Sequence, residues 1–172
     1  MKRRPPAVVD DPDDAEAAEA AAVRILAGAA QSADSLQRKL RQRGFSMIAI
    51  RTAVGRCREL GYVDDGALAA SVVKRHVRAG HGTTRVIADL RRRGISNDAA
   101  TTALQELDES EEQRAANEFA QKLYDRRNAG EEVERSRRRI GAALQRRGFG
   151  TPVILRALSA VDTAIPHDDG GG

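Results

Sequence analysis

The sequence predicts an all-α fold, built as a tandem array of three three-helix repeats. A hexapeptide occurs three times, at residues 40–45, 90–95 and 144–149, each time as Leu, three residues that are Arg or Gln, Gly and an apolar residue. Apolar residues also recur at fixed distances on both sides of each glycine. The composition is 41% hydrophobic but only 3% aromatic, with no Trp. That composition suits closely packed helices and argues against a large β-sheet core.

Each hexapeptide has the form of a helix C-terminus closed by a left-handed glycine. Only glycine adopts a positive φ without strain, so we expect the glycine to lie just past the helix end. The apolar residue after it should fold back onto the leucine one turn inside the helix. The leucine, glycine and apolar residue are Leu40, Gly44 and Phe45 in the first copy, Leu90, Gly94 and Ile95 in the second, and Leu144, Gly148 and Phe149 in the third.

The residues around the glycines indicate a repeating unit larger than the hexapeptide. Apolar residues stand 8 and 4 positions before each glycine and 6, 9 and 10 positions after it. The two sets fall on one face of a preceding helix and one face of a following helix. A period of about 50 residues is typical of tandem helical repeats. The second spacing between glycines exceeds the first by four positions, which should lie in a loop or lengthen one helix by about a turn.

Capping signals and composition then define the domains. Ser32 or Asp34 caps the second helix of the first repeat, and Ser46 caps the third. Acidic, proline-containing sequence at the N-terminus predicts a disordered arm. The predicted boundaries are a disordered acidic arm at 1–14, repeats at 15–61, 62–107 and 108–162, and a disordered tail at 163–172.

The connecting segment at residues 61–65, Gly-Tyr-Val-Asp-Asp, links the first two repeats. Gly61 should close a helix, Tyr62 and Val63 should anchor this segment to the core, and Asp64 or Asp65 should cap the next helix. Later starts are predicted by a serine cap at Ser96, by the acidic turn at 108–112, and by Thr151 followed by Pro152 at the first helical position.

Net charge and targeting signals limit the classes of function. The chain has a net charge of +4, of which residues 1–22 contribute −3 and the remainder +7, so the folded part favours an anionic partner. The single cysteine, Cys57, excludes an intrachain disulfide and should be a buried, inert thiol. The sequence has no signal-peptide core and no apolar run long enough to span a membrane, which predicts a cytoplasmic protein without a membrane partner.

No catalytic or metal-binding pattern is present. The histidines His76, His81 and His167 do not pair with one another or with Cys at ligand spacing, and no nucleophile elbow, phosphate-binding loop or zinc-protease motif occurs. Adjacent carboxylates at a helix start, such as Asp64 and Asp65, are explained by capping. We therefore expect a protein that is not an enzyme and has no metal or cofactor.

Basic residues recur beside every hexapeptide. One interpretation is a solvated helix face, with cations near helix C-termini where the dipole stabilises each by roughly 0.3–1 kcal/mol. The other is that stacked repeats align them into one basic stripe that contacts phosphates or carboxylates. The candidate partner-binding residues are Arg38, Lys39, Arg41, Arg43, Arg85, Arg91, Arg92, Arg93, Arg137, Arg138, Arg146 and Arg147.

Nucleic-acid recognition through the bases has less support. Sequence-tolerant single-strand binders need aromatic side chains on which bases stack. Phe45 and Phe149 belong to the predicted helix ends, whereas Phe119 and Tyr124 have core spacing. Contact with phosphates of single- or double-stranded DNA remains open.

The chain resembles the bacterial regulatory protein RecX family over about residues 20–160. The matching motifs are Gly61-Tyr62-Val63-Asp64-Asp65, then Leu68-Ala69, then Gly80-x-Gly82 before Arg85 and Val86, and Leu90-x-x-Arg93-Gly94-Ile95. Arg93 stands where the family commonly has Lys. The first and third hairpins are loose copies, and the acidic arm is not part of the family pattern.

The resemblance implies an elongated, curved all-helical monomer. Proteins of this family bind the RecA recombinase filament along its groove and inhibit its ATPase, strand-exchange and co-protease activities without a cofactor. Such a protein regulates recombination, DNA repair and the SOS response. The alternative is a general basic helical module that binds DNA and affects RecA only by competing for it. A plain assembly scaffold is a third interpretation, but no residue feature favours it.

Overall fold

A computed structural model describes residues 9–105, 108–126 and 131–163. Within these ranges the chain forms nine α-helices and no β-strand, so the all-α prediction is confirmed. None of the described helices is long and apolar enough to span a membrane. The helices are α1 (Ala15–Gly28), α2 (Ala33–Arg41), α3 (Met47–Glu59), α4 (Asp65–Arg78), α5 (Thr83–Arg92), α6 (Asn97–Gln105), α7 (Glu109–Asp125), α8 (Val133–Arg147) and α9 (Thr151–Thr163).

The chain divides into two compact units. Unit 1 comprises Met1–Ser71 and Leu90–Thr102, and unit 2 comprises Val72–Asp89 and Ala103–Gly172. Helices α4, α5 and α6 therefore each contribute residues to both units. The division into three repeats stays a prediction.

The core of unit 1 forms where α1 packs on α3, with α2 beside them. Four alanines that are 0% exposed allow these helices to approach closely, and larger aliphatic side chains fill the remaining space. Fully burying one such aliphatic side chain stabilises the fold by roughly 1.5–3 kcal/mol. These core residues are Ala18, Ala22, Ala49, Ala53, Leu36, Leu40, Ile50 and Val54. The Cys57 thiol is buried as predicted, and burial first and Glu19 second raise its pKa.

The core of unit 2 has the same character. Helix α7 packs on α9 and α8, and alanines are again among the buried residues. Its buried residues are Ala116, Ala120, Ile140, Leu144, Phe149, Ala157, Leu158 and Val161. Helix α8 is 15 residues long, whereas α2 has 9 residues and α5 has 10. The longer spacing between the second and third glycines is thus accompanied by an extra helical turn at the start of α8.

The three helix ends predicted from the hexapeptides are confirmed. Gly44, Gly94 and Gly148 have φ values of 96°, 72° and 85°. After each glycine, the backbone N–H of the apolar residue donates to the leucine carbonyl, at 3.4, 3.1 and 3.3 Å in chain order. The three leucines are 0% exposed and the apolar residues at most 7%. Gly61 and Gly80 also have positive φ values, 72° and 62°, just past the ends of α3 and α4.

Most capping predictions are also confirmed. The hydroxyl oxygens of Ser32, Ser46 and Ser96 accept backbone N–H groups in the first turns of α2, α3 and α6. Asp64 Oδ1 accepts from the N–H of Ala67 at 2.9 Å and so caps α4. One expectation is wrong: Tyr62 is 56% exposed, and of the two residues only Val63 anchors the connecting segment 61–65 to the core. The reason is that Gly61 turns the chain so that the second of the two residues, and not both, faces inward.

The last residues of the predicted disordered arm contact unit 1. The carbonyl of Pro12 accepts from the N–H of Ser46 at 2.8 Å, Val9 packs against the core, and Asp14 caps α1 by accepting from the N–H of Ala17. The apolar side chain of Val9 and the hydrogen bond between the Pro12 carbonyl and the Ser46 N–H explain why these residues contact unit 1. The acidic composition alone did not indicate this contact. Residues 1–8 of the arm and 164–172 of the predicted tail lie outside the described residues.

Candidate functional site: two basic joints

In unit 1, the C-terminal turn of α5 abuts the N-terminus of α2; we call this contact joint 1. The Ser32 hydroxyl donates to the carbonyl of Arg93 at 2.5 Å while it caps α2. A Cβ atom on Gly94 would overlap the Asp34 carboxylate and lie 3.1 Å from Arg38 Nη2. The positive φ favours glycine at position 94, and a larger residue there would also displace these side-chain ends.

A carboxylate completes joint 1. Asp65, in the first turn of α4, accepts from the backbone N–H of Ala33 at 2.9 Å. The N-terminal N–H groups of a helix lack partners inside the helix, and its partial positive charge favours an acidic neighbour. Of the two aspartates that sequence analysis considered as caps of α4, one caps that helix and the other caps α2.

In unit 2, the C-terminal turn of α8 abuts the N-terminus of α5; we call this contact joint 2. The N–H of Gly82 donates to the carbonyl of Arg147, and the N–H of Thr84 donates to the carbonyl of Gly148, both at 3.0 Å. Gly148 lies directly against the backbone and Cβ of Arg85. Glu112, in the first turn of α7, accepts from the Thr83 N–H at 2.8 Å and from its hydroxyl at 2.7 Å.

The two joints are the same arrangement made from different residues. Ser32 and Gly82, which donate at the joints, stand at the same distance before the closing glycine of their own hairpin. The accepting carbonyls belong to Arg93 and Arg147, and each of these residues immediately precedes the closing glycine of its own hairpin. The sequence prediction did not include these joints. The signal that could have found them is a small or hydroxylated residue at that fixed distance, with a carboxylate in the first turn of the helix two places later in the chain.

Both joints bring candidate arginines together from successive hairpins. In joint 1, Arg38 of α2 lies beside Gly94, which follows Arg91, Arg92 and Arg93. In joint 2, Arg85 Nη1 donates to the carbonyl of Arg146 at 3.3 Å. The side chains of Arg91, Arg92, Arg85 and Arg146 are exposed.

The other candidates lie elsewhere within their units. Lys39 and Arg43 line a cleft of about 450 Å³ at the end of α1, where Lys39 donates to Gln31 at 2.8 Å. Arg41 donates to the Met47 sulfur at 3.2 Å. Lys39 and Arg41 thus contact different neighbours within unit 1, and the single basic stripe stays a prediction. In α8, Arg137 lies 3.9 Å from Glu134, and Arg138 is exposed.

Arg147 has a structural environment. Its Nη1 donates to the carbonyls of Ala79 and Gly80 at 3.4 and 3.3 Å, and its guanidinium lies 3.9 Å from the centroid of the Phe119 ring. A cation at this position satisfies carbonyls left open at the C-terminus of α4 and favours the helix dipole. The stacking on Phe119 adds a cation–π contact.

A histidine pair lies beside joint 2, although the histidines have no metal-ligand spacing in the sequence. His76 Nδ1 lies 3.0 Å from His81 Nδ1, and His76 Nε2 lies 3.1 Å from Asp89 Oδ2. Arg75 Nη2 lies 2.8 Å from the same Asp89 oxygen. The positive φ of Gly80 turns the loop back, which brings together two residues five positions apart. Across the described residues, no cluster of three or more His, Cys, Asp or Glu could hold a metal ion.

Comparisons with known proteins agree on one family. The family model for the second three-helix domain of RecX matches residues 64–104. The chain is 30% identical over 153 residues to the regulatory protein RecX of Mycobacterium sp. strain JLS, covering 87% of this chain and 84% of that protein. It is 34% identical to the one from Deinococcus radiodurans, covering 90% and 72%.

Solved structures give the same result for the fold. The crystal structure of RecX from Lactobacillus salivarius superposes with a TM-score of 0.79 at 20% identity, covering 87% of this chain and 97% of that one. A second crystal structure of a regulatory protein RecX gives a TM-score of 0.73. With the sequence relatives, these matches show that the chain belongs to the RecX family of regulatory proteins.

Proposed function

We propose that this protein binds the RecA recombinase filament along its groove and inhibits its ATPase, strand-exchange and co-protease activities. The arginines at the two joints are the contact residues in this proposal. The observation that carries it is that joint 1 holds Arg38 beside Gly94, directly after Arg91, Arg92 and Arg93, and that joint 2 holds Arg85 against the carbonyl of Arg146. The protein acts as a cytoplasmic monomer with no catalytic activity and no cofactor of its own.

Clustered arginines have an electrostatic cost that an anionic partner would relieve. Like charges held near one another repel, and an opposite charge placed between them relieves that repulsion. Guanidinium groups donate two parallel hydrogen bonds to carboxylates or phosphates and lose little entropy in doing so. Arg91 and Arg92 of joint 1 and Arg85 and Arg146 of joint 2 are exposed and suited to this contact. Arg147 positions joint 2 through its bonds to the α4 carbonyls.

A filament is a suitable partner for a chain with two similar joints. Each RecA subunit presents the same surface, so one chain can make several equivalent contacts with neighbouring subunits. Linked weak contacts bind more tightly than the same contacts made separately, because the second is intramolecular. Inhibition at few inhibitor molecules per filament would follow.

Competition for DNA is the second candidate function. The excess positive charge outside residues 1–22 and the exposed Tyr62, whose ring is open to stacking, favour it. Against it, Phe45 and Phe149 are at most 7% exposed, and Arg147 covers Phe119. Phosphate contact without base stacking is the form of this alternative that fits the side chains best.

One assay separates the two functions. RecA ATP hydrolysis is measured on saturating single-stranded DNA while this protein is added well below the RecA concentration. Filament binding predicts inhibition at these substoichiometric amounts that added DNA does not relieve. Competition predicts inhibition only when enough protein is present to coat the DNA, with full recovery on adding more DNA.

A further inference from the structure

The pair formed by the buried His76 and the partly exposed His81 gives unit 2 two imidazoles whose hydrogen bonding depends on their protonation. His76 is 8% exposed, and the Asp89 side chain that it contacts is 6% exposed. Because Asp89 is an acceptor, His76 Nε2 carries a proton and donates to it. In the neutral ring, His76 Nδ1 is then an acceptor for the Nδ1–H of His81.

We propose that His76 and His81 form a proton-controlled latch that holds the α4–α5 loop in joint 2 and releases it when both imidazoles are protonated. This inference concerns the free protein and does not depend on RecA or DNA.

The proton balance shows why one proton is tolerated and two are not. With one added proton, His76 is an imidazolium that donates from Nε2 to Asp89 and from Nδ1 to the His81 lone pair. With two, both Nδ1 atoms carry hydrogen and face each other at 3.0 Å, so no acceptor remains and two positive charges meet. His81 must then turn away, whereas His76 keeps its bond to Asp89.

Release of His81 would affect joint 2 because Arg147 forms hydrogen bonds both with the α4–α5 loop and within joint 2. Arg147 donates to the carbonyls of Ala79 and Gly80, and its own carbonyl accepts from Gly82. His81 lies between Gly80 and Gly82 in the chain, and its backbone N–H donates to the His76 carbonyl at 3.0 Å. A rotation of His81 out of the pair therefore disturbs the segment that the C-terminal turn of α8 contacts.

The charges around His81 come from four helices. Helix α4 contributes His76 and Arg75, α5 contributes Arg85 and Asp89, and α8 contributes Arg147, whereas Asp108, Glu111 and Glu112 at the start of α7 line the same cavity of about 30 Å³. The pKa of His81 lies below its ordinary value, first through burial and then through Arg85, His76 and Arg147. The nearby carboxylates thus do not outweigh burial and the cations.

The lowered pKa fixes the direction of the effect. Between the folded and unfolded pKa values of His81, the unfolded chain binds more protons than the folded chain. The free energy of unfolding therefore falls as pH decreases below about 6.5, the ordinary histidine pKa. The stabilising contact is complete only above that pH.

The direct test follows the imidazole nitrogens of the wild-type protein by NMR from about pH 8 to about pH 5, across the ordinary histidine range. We expect His81 to titrate below the ordinary histidine pKa of about 6.5. Amide exchange at Gly82, corrected for its intrinsic rate, should quicken by about tenfold over the same pH interval. His167→Gln identifies the signals of the third histidine. Ordinary titration of His81, or protection of the Gly82 amide that does not change with its titration, would overturn the latch.

A variant adds an independent measurement. Asn at position 81 keeps an N–H donor but does not titrate, so His81→Asn should remove most of the pH dependence of Gly82 exchange. His167→Gln should leave that dependence unchanged. If His81→Asn and wild type show the same pH dependence, another group is responsible and the latch is wrong. Should the variant fail to fold, the wild-type titration alone decides.

Discussion

Joints 1 and 2 solve the same packing problem with different atoms. Joint 1 is closed by side chains, the Ser32 hydroxyl and the Asp65 carboxylate, with Gly94 facing the ends of the Asp34 and Arg38 side chains. Joint 2 is closed mainly by backbone, and Gly148 lies against the Arg85 main chain. Side-chain ends can move to admit a methyl group, whereas a helix backbone cannot. Joint 1 should therefore tolerate changes that joint 2 does not.

Alanine substitutions at four glycines should measure this difference as losses in the free energy of unfolding. These substitutions include the largest effects that we expect. Gly148→Ala combines a strained positive φ with overlap on the Arg85 backbone. It should lower the free energy of unfolding by more than about 3 kcal/mol. Gly94→Ala meets only movable side-chain ends in addition to the strain, and should cost about 1–2 kcal/mol. Gly94→Val should cost more, because β-branched residues are poor at positive φ.

Two further glycines serve as controls in the same urea titrations. Gly61 has a positive φ with nothing near its Cβ position. Gly61→Ala therefore measures strain alone, which should cost about 1 kcal/mol. Gly55 lies inside α3 with open space around it, and Gly55→Ala should stabilise the fold by about 0.5–1 kcal/mol. Equal losses at Gly148 and Gly61 would mean that the joint 2 contact does not form.

The carboxylates that close the joints should differ by the number of bonds they accept. Glu112→Ala removes two hydrogen bonds and leaves the N–H and hydroxyl of Thr83 unsatisfied. We expect a loss of about 2 kcal/mol from those unsatisfied groups. Asp65→Ala removes the bond from Ala33 and should cost about 1 kcal/mol. Glu111→Ala, in the same helical turn as Glu112, is the control and should change the free energy of unfolding little. An equal effect of Glu111 and Glu112 would contradict a capping role.

Two adjacent arginines of α8 should separate a structural role from an exposed one. Arg147→Met keeps the aliphatic stem but removes the bonds to the α4 carbonyls and the contact with Phe119. The loss of these contacts should cost about 1–2 kcal/mol. The Arg146 side chain is exposed, so Arg146→Met should leave the stability close to that of wild type. Thermal unfolding of both variants measures the difference, and a stability loss confined to Arg146→Met would reverse the assignment.

Local features of the fold could be predicted from the sequence, and long-range ones could not. Closing glycines and serine caps act within one helical turn, so Gly44, Gly94, Gly148 and Ser46 are visible as local patterns. Joint 1 links Ser32 to Arg93, which lies 61 positions later, and neither residue taken alone identifies the other. The spacing that the two joints share becomes apparent only when both joints are compared. The two compact units likewise depend on such contacts and not on the period of the repeat.

The site residues show the same limit. Charge identified the arginines as a class but could not separate those at the joints from Arg41, which contacts Met47, or Arg147, which holds the α4 carbonyls. The histidine pair was not predicted because helical spacing does not bring His76 and His81 together. The left-handed turn at Gly80 does so.

The most direct test of the arginines of joint 1 is RecA ATP hydrolysis with a charge-reversed variant. Arg91→Glu combined with Arg92→Glu changes exposed residues at joint 1, and Arg51→Glu combined with Arg58→Glu makes the same charge change on exposed residues of α3 in unit 1. We predict that the joint variant needs at least about tenfold more protein for half-inhibition, as expected when interfacial arginines are lost, with helical content intact. The control pair should inhibit like wild type. Full inhibition by the joint variant, or an equal loss in both pairs, would contradict the proposed contact.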